Sequence, residues 1–121
     1  DIEAGKQEPV MKVGNLKARK DFSDVRDIVR AYVLLMEKGQ AGEVYNIGSG
    51  KSVSIQEILD TLLSLSTKEI SVIIDPALVR PVDIEDIYCD SSKLTTLTGW
   101  KPEISLSITL KDTLDYYRKV V

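Results

Sequence analysis

The apolar residues of this 121-residue chain change their repeat along its length, from every second position to a 3.6-residue spacing and back. A repeat of two suits a strand with one covered face, and a repeat of 3.6 suits a helix with an apolar stripe. Alternation of the two confines the chain to α/β construction and argues against a helical bundle or a β-sandwich.

Residues 1–5 read as the end of a helix stopped at Gly5. "PVMKV", 9–13, reads as a short strand with Gly14-Asn15 as the turn behind it. In 25–38, Val25, Ile28, Val29, Tyr32, Leu35 and Met36 fall on one apolar helical stripe. Asp24 is placed to cap that helix, Asp27 lies near its positive end, and Gly39 supplies a stop. "GEVYNIG", 42–48, reads as a buried strand. Ser54-Ile55-Gln56-Glu57 is a capping box opening a helix over 55–65, with Ile55, Ile58, Leu59, Leu62 and Leu63 on its buried face. "ISVIID", 70–75, is a strand ended by Pro76, and 79–90 is extended or looped. Asp90 or Ser91 caps a short helix to about Thr98, closed by Gly99, with Trp100 and Pro102 as an anchored turn. A last helix, about 106–119, is expected to bury Leu106, Leu110, Thr113, Leu114 and Tyr117. Three or four short strands are too few for a free-standing doubly wound sheet, so the chain reads as the second half of something larger. It starts at Asp1 rather than Met, which fits a processed or truncated product.

Bulk properties narrow the function. The chain is 43% hydrophobic and 29% charged, as a globular domain is, and one unit, 1–121, accounts for its length. A net charge of −3 gives no basic excess for duplex binding, so no nucleic-acid partner is expected. There is no run of about 18 apolar residues and no signal-peptide pattern, so no membrane association is expected either. A lone Cys89 fits a reducing compartment, and the expected location is cytoplasmic. With no histidine and one cysteine, a structural zinc site is not expected.

No self-sufficient catalytic constellation is present. "GSGKS", 48–52, echoes a phosphate loop, but the first glycine of that motif would fall at 45, which is Tyr. The dinucleotide fingerprint is absent too, because Lys51, Ser52 and Val53 follow the second glycine. The cationic candidates are Arg19, Lys20, Arg26, Lys51 and Arg80. Arg80 lies in "LVRPVD", where Pro81 stiffens the backbone, and such an Arg suits two-pronged capture of phosphate or carboxylate. The plainer alternative is a surface Arg paired with Asp83. Lys20 and Arg26 read first as surface charges.

Four linked motifs carry a resemblance: "KDFSDVRD", "YNIGSG", "RPVD" and "DSSKLTTLTGWKP". In this order and spacing the chain resembles the extended short-chain dehydrogenase/reductase family. It is most similar to the C-terminal part of GDP-mannose 4,6-dehydratases and GDP-4-keto-6-deoxy-mannose reductases. The resemblance runs along nearly the whole chain. It implies an α/β, Rossmann-like fold, of which this is the C-terminal substrate-binding portion, lacking most of the Rossmann domain. It also implies that the missing N-terminal half binds NAD or NADP and carries the Ser/Thr and Tyr-x-x-x-Lys groups that act at the sugar C4. No catalytic residue and no cofactor are then expected in these 121 residues.

The same resemblance implies that this portion holds a GDP-sugar or another nucleotide sugar. The family's arginine of "RPxD" commonly contacts the diphosphate and maps onto Arg80. Its arginine of "RDF" maps onto Lys20, which keeps the charge but not the fork, with Arg19 as the neighbouring alternative. Asp24 and Asp27 are expected to serve the helix start and internal pairing, and Trp100 to anchor the core. Other readings are a UDP-sugar 4-epimerase or other epimerase or dehydratase fragment, or a stand-alone binding or oligomerisation module without chemistry. Removal of the Rossmann half should uncover strand 43–48 and one side of its flanking helices, so a homo-oligomer is expected.

Overall fold

Local hydrogen bonding sets most element boundaries in the computed structural model, which describes residues 1–79 and 86–120. In chain order the elements are β1 (Val10–Val13), β2 (Arg19–Lys20), α1 (Val25–Lys38), β3 (Val53–Ser54), α2 (Ile55–Leu65), β4 (Ser71–Ile74), α3 (Ser92–Thr98) and α4 (Leu106–Val120). β1 and β4 pair in parallel, from Val10 opposite Ser71 to Val13 opposite Ile74. A parallel pair needs a long crossover, and here α1 and α2 lie within it. β2 and β3 pair antiparallel, Arg19 with Ser54 and Lys20 with Val53.

The helix ends follow their side chains. Asp24 accepts from Arg26 N at 2.8 Å and caps α1. Ser54 Oγ accepts from Glu57 N at 3.1 Å while Glu57 returns the bond to Ser54 N at 3.2 Å, completing the capping box of α2. Gly99, at φ 74°, closes α3 in the left-handed conformation that glycine alone adopts without strain. Gly39 also ends its helix, but with φ −66°, so it stops α1 in ordinary extended backbone. Residues 1–6 form a turn. Gly5 N donates to Ile2 O and Lys6 N to Asp1 O, around Gly5 at φ 74°.

The core forms where α1 and α3 meet the chain between α3 and α4. Ala31, Leu94 and Trp100 are buried there, with Leu34, Leu35, Tyr45 and Ile47 packed around them. Trp100 is 1% exposed and donates its indole N–H to Asp27 O at 3.0 Å, so it is the anchor that the sequence suggested. Asp27 is equally buried, and its carboxylate accepts from Glu103 N at 3.1 Å and Ile104 N at 3.2 Å. Arg30 reaches it at 3.4 Å, lies 5.7 Å from the Trp100 ring centre, and also donates to Lys101 O. Asp27 thus pins the first turn of α1 to the segment that enters α4. A second layer forms as α2 packs on α4 over Leu59.

Three expectations are corrected. Residues 43–47 pair with no strand among the described residues. Their side chains still alternate, Tyr45 and Ile47 toward the core and Val44 outward, because an extended chain alternates whether or not a neighbour bonds to it. On α1 the buried face carries Asp27 and Ala31, while Val25, Val29, Tyr32 and Met36 of the apolar stripe are exposed, Met36 at 88%. On α4, Thr113 and Tyr117 are exposed rather than buried. No helix among the described residues is long and apolar enough to cross a membrane.

Two ion-paired corners tie distant parts of the chain. Asp24 accepts from Arg26 at 2.7 Å and from Thr109 Oγ1 at 2.7 Å, and Arg26 continues to Asp112 at 2.9 Å. Arg118 binds Glu3 at 2.7 Å and Asp115 at 2.9 Å. The Arg26 hydrogen bond holds the Asp24 carboxyl far below the usual carboxylate range, against the opposing effect of burial. The Arg118 hydrogen bond lowers Glu3 from 4.5 to about 2, with help from Thr67.

Two outcomes follow from these contacts. Asp27→Ala leaves two part-buried backbone donors without their acceptor and should cost about 2 kcal/mol in urea unfolding followed by Trp100 emission; a loss below about 1 kcal/mol would remove Asp27 from the role of a pin. Both lowered carboxyls contribute stability that is complete above their ordinary pKa and is lost as pH falls toward the folded value. Stability should therefore be flat near neutrality and fall below about pH 4.5, with a shallower acid limb in Asp24→Asn. An unchanged acid limb in that variant would contradict the assignment.

Candidate functional site

Strand β2 is short but held on both edges. On one side lies β3, and on the other Arg19 O accepts from Ile87 N at 3.0 Å, in a parallel bridge between Arg19 and Asp86. Ala18 O and Leu16 O also accept the first amides of α2, from Ile55 N at 2.9 Å and Gln56 N at 3.0 Å. The basic pair Arg19-Lys20 is thereby fixed to the N-terminus of a helix and to the segment that follows residue 85.

Neighbouring residues on a strand point to opposite faces. Arg19 and Lys20 therefore address different sides of β2. Arg19 turns toward Ser52, donating from Nε to its hydroxyl at 3.3 Å and from Nη2 to its carbonyl at 3.1 Å. Lys20, opposite Val53, is partly buried. Arg26 is engaged by Asp24 and Asp112 as a structural group. Arg80, and Asp83 weighed as its partner, lie outside the described residues.

Immediately after Lys20 comes a residue to which the sequence assigned no role. The carboxylate of Asp21 gathers four hydrogen bonds. Its Oδ1 accepts from Ser49 N at 3.0 Å and Ser49 Oγ at 2.5 Å, and its Oδ2 from Gly50 N at 3.1 Å and Cys89 N at 3.0 Å. Burial works to raise this carboxyl, but the bonds from Ser49, Cys89 and Gly50 outweigh it and leave it below its ordinary value. Asp21 is an anion at neutral pH. The glycine loop does cradle an anion, as its composition hinted, but the anion is the chain's own carboxylate. Its amides at 49 and 50 do not fit a dinucleotide pyrophosphate while Asp21 occupies them.

The loop is shaped for this. Gly50 has φ 78°, a conformation that favours glycine. A Cβ at Gly48 would collide with the Cys89 side chain and come within 2.9 Å of Asp21 Oδ2. Ser91 closes the opposite side, accepting from Gly48 N at 2.9 Å and donating to Gly48 O at 2.8 Å. Ser91 holds the N-cap position of α3 but its hydroxyl is spent on Gly48, while Asp90 accepts from Ser92 N at 2.9 Å. A pocket of about 590 Å³ opens beside the clasp, lined in part by Gly48, Ser49, Tyr88, Cys89 and Ser92. Two sequence signals marked Asp21, an acid directly behind a basic pair and a place in "KDFSDVRD", and neither says which amides reach it.

Comparison with known proteins places this arrangement. The family described as GDP-mannose 4,6 dehydratase matches residues 1–113. GDP-6-deoxy-D-mannose reductase of Pseudomonas aeruginosa is 34% identical over 110 residues, covering 91% of this chain and 36% of that protein. The solved structure of RMD from Pseudomonas aeruginosa complexed with NADPH superposes with a TM-score of 0.91 at 31% identity, over 99% of this chain and 39% of that one. UDP-glucose 4-epimerase of Thermotoga maritima, solved with UDP-glucose, gives a TM-score of 0.77 at 33% identity, over 91% of this chain and 35% of that one. The chain thus spans little more than a third of the length of these three proteins.

Proposed function

The chain belongs to the GDP-mannose 4,6-dehydratase family, and we propose that it is the C-terminal, nucleotide-sugar-binding portion of a longer NAD(P)-dependent enzyme acting on a GDP-linked sugar at C4. The observation that carries this reading is its likeness, over 99% of its length, to 39% of an NADPH-complexed relative. The identity to a GDP-6-deoxy-D-mannose reductase favours the GDP branch over the UDP-sugar epimerases. The 121 residues hold no histidine and no Tyr-x-x-x-Lys sequence, so the acid–base groups and the nicotinamide site are assigned to the rest of the parent. That nicotinamide, when bound, supplies or takes the hydride. The residues described here hold the diphosphate in place for it.

Lys20 and Arg80 are the cations assigned to the diphosphate, Lys20 on the basis of its place on β2 and Arg80 on the basis of its motif. Arg19, whose guanidinium is directed to Ser52, is the neighbouring alternative. A second surface is assigned to the missing half. The exposed stripe of α1 and the extended 43–47 segment, which pairs with no strand among the described residues, both offer what a sheet-and-helix layer would cover.

In the full-length enzyme, Arg80→Ala should weaken GDP binding about tenfold, or roughly 1.4 kcal/mol, with NADPH affinity unchanged by calorimetry. If neither affinity moves, Arg80 is not in the site. The excised 121-residue chain, with the α1 stripe bare, should self-associate at micromolar concentrations in a sedimentation experiment. A clean monomer would argue against the seam.

A further inference from the structure

We propose that Asp21 is a positioning residue for Lys20, setting that cation in the nucleotide-sugar site; the inference rests on the reading of Lys20 given above. Lys20 is joined to Asp21 by one peptide bond, so whatever fixes Asp21 fixes the base of the lysine side chain. β2 is bordered by β3 on one edge and by Asp86–Ile87 on the other. Asp21 draws in the chain that leads to the first, at Ser49 and Gly50, and the chain that leaves the second, at Cys89. Three segments far apart in sequence converge on one carboxylate directly behind the cation.

The geometry excludes a direct ligand role for Asp21. An ionised carboxylate offers about four acceptor positions. Ser49 N and Ser49 Oγ take those of Oδ1, while Gly50 N and Cys89 N take those of Oδ2. Nothing is left with which to hold a ribose hydroxyl or a metal ion. Its effect on a bound anion must pass through what it holds.

Lysine depends on such support. Its ammonium is a point charge on a four-carbon stem, without the preset fork that lets arginine orient itself on a phosphate. A site built on lysine gains specificity from a rigid backbone behind it. Aspartate is also the one residue type that fits. Asparagine would turn its NH₂ toward at least one N–H donor in either orientation, and glutamate is one methylene longer in a space where a Cβ on Gly48 would already crowd Oδ2.

The test uses the full-length enzyme, with GDP and NADPH as calorimetric probes. Asp21→Asn should weaken GDP roughly tenfold, with NADPH affinity within about twofold. Lys20→Ala should weaken GDP as well, and in the Lys20→Ala background Asp21→Asn should cost nothing further. A purely structural role would not show that loss of effect, since its penalty persists whether or not the lysine is present. If Asp21→Asn fails to fold, Ser49→Ala removes one donor and keeps the amides. It should weaken GDP about threefold, again only when Lys20 is present. Undiminished penalties in the Lys20→Ala background would overturn the positioning role alone. No effect of Lys20→Ala on GDP would overturn the reading of Lys20 and the inference with it.

Discussion

The buried carboxylate of Asp27 is the contact on which the rest of the chain is hung. A charge at 1% exposure persists only when its lone pairs are met, and here two backbone amides and an arginine meet them. The amides belong to Glu103 and Ile104, more than 70 residues away in the chain. The peptide oxygen of Asp27 meanwhile receives the Trp100 indole. One residue therefore sets where α1 starts relative to the turn that carries Trp100 and to the first residues of α4. The packing of Ala31 and Leu94 around Trp100 follows from that placement.

The same device recurs at a spacing of three. Asp21, Asp24 and Asp27 lie in one short stretch, and each carboxylate collects donors from a different part of the chain. Asp21 takes the 49–50 loop and Cys89, Asp24 takes the first turn of α1 and Thr109, and Asp27 takes residues 103–104. Carboxylates suit this work because they only accept, and the groups they satisfy are backbone N–H donors left over at helix starts and loops. The apparent charge cluster is thus an assembly of clasps. Its arginines divide in the same way: Arg26 completes a clasp and Arg19 turns to Ser52.

The clasps also explain a surface that looks wrong for a self-sufficient domain. α1 is held by polar anchors and by the small face around Ala31, so its larger apolar stripe is left outward. The outward apolar stripe is the face proposed above to meet the rest of the enzyme.

What the sequence determined by itself was local. The bounds of α1 and α2, the cap at Asp24, the capping box at Ser54 and Glu57 and the left-handed stop at Gly99 all depend on residues within a few positions of one another, and each was legible. Trp100 was legible as an anchor because a large aromatic beside a helix stop has few other uses. The tertiary structure decided everything that needed a partner from afar. It turned the Val25, Val29, Tyr32 and Met36 stripe outward, left 43–47 without a ladder among the described residues, and spent the Ser91 hydroxyl on Gly48 rather than on a helix cap. It also made Asp21 the junction of three segments, although a carboxylate in a sequence carries no mark of which distant amides will reach it. Helix ends are written in short-range hydrogen bonds, whereas the face a helix buries and the loops a carboxylate gathers depend on which distant surfaces the folded chain brings alongside.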